Sequence, residues 1–143
     1  MIRTVRTCCF CLLLGSASAI AETRSFLEVS PDGRDDLDAL FTTLEGYLDQ
    51  GIPATEPVVV ILHGPEALPF TSQGYTRNRA LVDRAALLDA YRLIDVRMCR
   101  TWMNNNGIDA DDIPAFIETV PFAPEEIERL EAEGYTPYGG LDI

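Results

Sequence analysis

The sequence predicts an α/β sandwich, a small and mainly parallel sheet with helices on both faces. Three observations carry that expectation. Short β-leaning runs alternate with helix-period segments, which is the pattern of strands joined by crossover helices. One run, Val58-Val59-Val60-Ile61-Leu62, is apolar throughout instead of alternating, as befits a strand covered on both faces at the centre of a parallel sheet. At 143 residues with 47% apolar content, the chain has the length of one domain and enough apolar surface for one core.

The elements follow in order. Ser25-Phe26-Leu27-Glu28-Val29 has the composition of a short strand, and Ser30-Pro31-Asp32-Gly33 breaks it with turn residues. Leu37, Leu40, Phe41, Leu44, Tyr47 and Leu48 recur at spacings of three and four, so a helix is expected with Asp35 as N-cap and Gly51 as stop. After the central strand, Glu66 to Thr76 has no periodicity and reads as a loop over the sheet edge. Leu81, Val82, Ala85, Leu88 and Tyr91 form a second amphipathic helix, which leads to a buried strand over Leu93–Met98. A short helix over Thr101–Asn106 ends near Gly107, and an acidic connection from Ile108 closes at Pro114. Phe116–Val120 is another short strand. Ala123–Leu130 is a helix with proline at its first helical position, acids in the first turn where the dipole favours them, and Gly134 as stop. Tyr135–Tyr138 adds an edge strand, where proline is tolerated.

Residues 1–21 are expected to be a secretory signal peptide and not part of the fold. Arg3 and Arg6 begin it, Cys8–Leu14 is an apolar run too short to span a membrane, and small residues follow at the spacing of a cleavage site after Ala21, with Ala19 as the alternative. Residues 22–143 then form a single domain, periplasmic or secreted, with no membrane insertion. Cleavage changes the cysteine arithmetic. Three of the four cysteines leave with the leader, so Cys99 becomes the one mature thiol and no internal disulfide is possible. The formal net charge is −12, and all 11 basic residues are arginine. A chain this acidic has no basic face for phosphates, which excludes nucleic acid as a partner.

In parallel α/β sheets ligands gather at the carboxyl ends of the strands. Two groups fall there: His63-Gly64-Pro65 after one strand and Cys99-Arg100-Thr101 after another. Two roles fit Cys99. It can be a nucleophile or sulfur carrier at a strand-to-helix junction, flanked by Arg97 and Arg100, whose charge favours a thiolate; or it can be a small buried residue of the core. In an extended strand Arg97 shares a face with Cys99, while Arg100 points to solvent. His63, the one histidine, fits either a general base or a structural hydrogen-bonding group, and the His63-Gly64 turn also offers backbone amides to an anion. Trp102, Met98 and Met103 fit core or pocket wall. One cysteine and one histidine fall short of a zinc site, Asp109-Ala110-Asp111-Asp112 lacks calcium-loop spacing, and no glycine-rich phosphate loop is present. No metal or cofactor is therefore expected.

Taken together, Val58 to Pro65, the Cys99 strand end followed by Asn106-Gly107-Ile108, and the closing Val120 to Glu128 and Leu130 to Tyr135 pattern resemble the DsrE/DsrF-like family of sulfur-relay proteins. The similarity covers nearly all of the mature chain. It implies a flavodoxin-like three-layer sandwich, homo-oligomers, and a persulfide carried on the cysteine matching Cys99. Cys99 alone is carried over as a functional residue. With an export signal, such a protein would exchange sulfur with a donor or acceptor protein, or with a small sulfur compound, in the periplasm. The expected function is a sulfur carrier or sulfurtransferase-like protein, with His63, Gly64, Arg97, Arg100 and Thr101 as binding residues. The alternative is a non-catalytic small-ligand-binding or oligomerisation module with a structural cysteine.

Overall fold

The computed structural model describes residues 24–52 and 56–139. The expected signal peptide, residues 1–21, lies outside them. Strands β1 (Ser25–Glu28), β2 (Val58–Leu62), β3 (Ile94–Cys99), β4 (Glu118–Val120) and β5 (Thr136–Pro137) alternate with helices α1 (Arg34–Gln50), α2 (Ser72–Ala90), α3 (Arg100–Asn105) and α4 (Ala123–Ala132). All strand pairings are parallel, in the order β4-β3-β2-β1-β5. The fold is the expected flavodoxin-like α/β sandwich, with the apolar run β2 at the centre and every one of its residues buried.

Handedness explains the layers. Steps from β1 to β2, β3 and β4 all move the same way across the sheet, so right-handed crossovers keep their helices on one face. There Leu37, Leu40 and Phe41 of α1, Leu81, Val82 and Leu88 of α2 and Met103 of α3 pack on Val58, Val60, Leu62, Ile94, Val96 and Met98. The last step returns from one sheet edge to the other, and the same handedness then puts α4 on the opposite face. Ala123 and Leu130 of α4 cover Phe26, Val59, Ile61 and Cys99 there. Strand alternation thus assigns odd-numbered residues of β2 and β3 to the α4 face.

Three local expectations are corrected. The stretch read as a loop from Glu66 is a 3₁₀ helix over Pro65–Phe70, and α2 begins at Ser72, capped by Thr71, whose hydroxyl accepts the Gly74 N–H at 3.2 Å. Periodicity failed here because the first turns of α2 are polar and exposed all round, while Ala67 and Phe70 bury at the three-residue spacing of a 3₁₀ helix. Gly33, not Asp35, is the N-cap of α1; Asp35 and Asp36 lie in its first turn, where carboxylates meet the positive end of the dipole. Tyr91 follows α2 and is exposed instead of extending its buried face. Gly51 ends α1 in the left-handed region at φ 67°, as expected of the stop. No described helix is long and apolar enough to cross a membrane.

Candidate functional site

The carboxyl ends of β1, β2 and β3 lie side by side at one end of the sheet. Val58–Leu62 pairs with Ile94–Met98 in a constant register, so His63 and Cys99 come next in adjacent strands about 5 Å apart. Both belong to the α4 face by alternation, as does Glu28 at the end of β1, two residues after Phe26. Three chemically competent side chains thus stand on one face, at neighbouring strand ends.

A cavity of about 200 Å³ opens at this point. His63 and Cys99 wall it from the sheet, Thr101, Trp102 and Asn105 from α3, and Phe122, Ala123 and Pro124 from the start of α4. Cys99 is the only cysteine among the described residues and is 3% exposed. The Thr101 hydroxyl donates to the Pro121 carbonyl at 3.0 Å, which ties α3 to the end of β4 and holds two walls together.

His63 Nε2 lies 3.0 Å from Glu28 Oε1. The ring N–H is not aligned with that oxygen, so Nε2 has no hydrogen-bond partner among the described residues although the atom itself is buried. The two groups are close neighbours without a hydrogen bond between them. Glu66, beside it, behaves differently. Its Oε1 accepts the backbone N–H groups of His63 at 2.7 Å and Gly64 at 2.6 Å, while Oε2 is buried without a partner among the described residues. The amides that the His63-Gly64 turn offers to an anion are therefore taken by the protein's own carboxylate. A Cβ on Gly64 would stand 2.6 Å from Glu66 Oε2, so glycine is what lets the carboxylate fold over the turn.

Arg97 shares the α4 face with Cys99, but its guanidinium is engaged elsewhere. It donates to Asp95 on its own strand and to Glu126 of α4, and Glu126 also accepts from Arg129, whose other arm reaches Glu133. Hydrogen bonds from Arg129 hold Glu126 below the usual carboxylate range, against the opposing effect of burial and with further help from Arg97. This network clamps α4 onto the sheet. Arg100 is exposed at the start of α3 and does not wall the cavity.

The structure therefore brings Cys99, His63 and Thr101 together, assigns Gly64 to the Glu66 turn and Arg97 to the α4 clamp, and leaves Arg100 at the surface. Glu28, Glu66, Asn105 and Phe122 were not singled out from sequence. For Glu66 a signal existed, since a carboxylate two and three residues after the amides of a turn is placed to accept them. Glu28 carries no such mark, because its place beside His63 depends on strand pairing.

No protein-family model and no curated protein matches the sequence. Among solved structures, the fold is similar to that of a protein of unknown function, MTH1491, from Methanobacterium thermoautotrophicum. The TM-score is 0.64 at 13% identity, covering 80% of this chain and 96% of that one. At that identity the likeness concerns the fold alone.

Proposed function

We propose that this protein is an exported sulfur carrier that holds a persulfide on Cys99. The observation that carries the reading is the cavity in which the only described cysteine and the only histidine share a wall at the carboxyl end of a parallel sheet. The donor would be a small-molecule or protein persulfide. The Cys99 thiolate attacks the outer sulfur of the donor, a new S–S bond forms at Cys99, and the donor's own S–S bond breaks. The donor leaves as a thiolate that takes up the proton Cys99 gave away. An acceptor thiol reverses these steps, so the protein ends unchanged and no other oxidant or reductant is needed. Support comes from the cavity and not from the dipole of α3, which spans only six residues, nor from Arg97, which is already paired.

Incubation of the purified protein with glutathione persulfide, followed by mass spectrometry, is expected to show one added sulfur on Cys99 that dithiothreitol removes, and none in Cys99→Ser. Absence of that gain in the wild-type protein would overturn the proposal.

A second reading, a non-catalytic module that binds a small ligand in the same cavity, is favoured by the near-complete burial of Cys99 and the aromatic walls Trp102 and Phe122. It differs in outcome: Cys99→Ser would keep ligand binding, while Phe122→Ala, at the start of α4, would weaken it.

A further inference from the structure

We infer that Glu28 is a positioning residue that holds His63 as the proton partner of the Cys99 thiol, making a relay of three side chains across three adjacent strand ends. The inference rests on reading Cys99 as the reacting group. It does not depend on which molecule Cys99 attacks.

Placement is the first ground. Glu28, His63 and Cys99 end or follow β1, β2 and β3, which are neighbours in the sheet, and alternation puts all three on the α4 face. The Glu28 carboxylate is 3.0 Å from His63 Nε2. His63 and Cys99 wall the same cavity. A carboxylate on one ring nitrogen leaves the other, Nδ1, for the thiol and sets the tautomer, which is the logic by which an acid, a histidine and a nucleophile act as a unit. The misaligned Glu28 contact is no obstacle, since such bonds tighten when a reactant enters.

The surrounding charges leave Glu28 as the group for this task. Glu66 has its Oε1 bound to the backbone amides of His63 and Gly64, so it braces the turn rather than the ring. Arg97, on the face of β3 next to Cys99, is held by Asp95 and by Glu126 of α4, and Arg129 is turned to Glu126 and Glu133. Arg100 of α3 and Glu125 in the first turn of α4 are exposed. Glu28 is half exposed and has no other partner among the described residues, so its carboxylate is available to His63.

In the step itself the Cys99 thiol proton moves to the imidazole, and the new imidazolium lies beside the Glu28 carboxylate. The thiolate then attacks, and the imidazolium returns the proton to the leaving thiolate. Charge and protons balance within the site.

The test is the rate of Cys99 alkylation by iodoacetamide as a function of pH, in the full chain, for wild type, Glu28→Gln, Glu28→Asp and His63→Gln. The wild-type profile is expected to follow two ionisations, and His63→Gln to follow one, with a rate near neutral pH about 100-fold lower. Glu28→Gln is expected to slow the reaction roughly tenfold and displace the profile, with Glu28→Asp restoring most of it. A purely structural role for Glu28 would leave the profile in place. Superimposed profiles for Glu28→Gln and wild type overturn the inference, as does a Cys99 that is inert in the native protein yet alkylated in urea. The two proposals separate cleanly. Alkylation that depends on Glu28 and His63 without sulfur gain from glutathione persulfide keeps the relay and removes the carrier. Equal sulfur gain by wild type and Glu28→Gln with unchanged alkylation keeps the carrier and removes the relay.

Discussion

Gly74→Ala is expected to destabilise the protein by about 3 kcal/mol in urea or thermal unfolding, at the top of the usual range for forcing extra volume into a packed site. A Cβ at this position would stand 1.9 Å from the Leu68 carbonyl oxygen, 2.8 Å from its carbon and 2.9 Å from Pro69 Cα. All three are backbone atoms of the 3₁₀ helix, so no side chain can swing aside. The close approach is what lets the 3₁₀ helix turn directly into α2, where the Gly74 N–H closes the cap on the Thr71 hydroxyl and the Asn78 amide donates to the Gly74 carbonyl at 2.9 Å. Alanine's better helix propensity, worth about 1 kcal/mol, offsets only part of the clash. Gly46→Ala is the control with the opposite sign. Gly46 is inside α1, and its Cβ would meet nothing nearer than Gln50 Nε2 at 4.0 Å, so alanine there should stabilise by about 0.5 to 1 kcal/mol. If Gly74→Ala were as stable as wild type, the junction would be looser than its geometry shows.

Arg97→Met is expected to cost about 3 kcal/mol and to change how stability depends on pH. Arg97 and Glu126 have side chains only 14% and 10% exposed, and Asp95 lies beside them. Methionine keeps the volume but leaves two carboxylates short of a partner, and removing one member of a buried ion pair costs about 3 to 5 kcal/mol. The lower end applies because Glu126 retains Arg129. The sign with pH follows from Glu126. Its carboxyl is held below the usual range by Arg129, against burial, and with help from Arg97. Such a group contributes stability that is fully present above the unfolded-state value near 4.5 and is lost as pH falls through the lower folded-state value. Wild type should therefore lose stability on acidification through and below that range. Arg97→Met should lose less there, because part of the stabilisation is already gone, and Glu126→Gln should lose least. Chemical unfolding at pH 7 and at a series of acidic pH values measures both effects. Acid slopes of equal size in wild type and Glu126→Gln would place the titrating group elsewhere.

Legibility from sequence followed physical range. The helices α1 and α4 and the strand β2 were readable because their signals are local: a three-and-four apolar spacing, a proline and acids in a first turn, and an unbroken β-branched run. The 3₁₀ helix and the start of α2 were not, because their exposed, polar turns carry no hydrophobic period and the clue was a single threonine cap. Cys99 could be placed at a strand end, but its burial and its cavity could not, since four of the other seven cavity residues, His63, Phe122, Ala123 and Pro124, come from segments distant in sequence. Arg97 shows the same limit from the other side. Sequence spacing put it beside Cys99, and only the packing of α4 showed that its charge is spent on Asp95 and Glu126.

What the sequence determined by itself was the alternation of strands and helices, the central strand, and the pair His63 and Cys99 at carboxyl ends, because period, propensity and turn chemistry are properties of neighbouring residues. What only the tertiary structure decided was partnership. Parallel pairing in register set Glu28 beside His63 and His63 beside Cys99, and the return crossover laid α4 over them with its own carboxylate for Arg97. Such contacts join residues 29 to 36 positions apart, and they exist only once strand order, register and handedness have been chosen together by the burial of a common core.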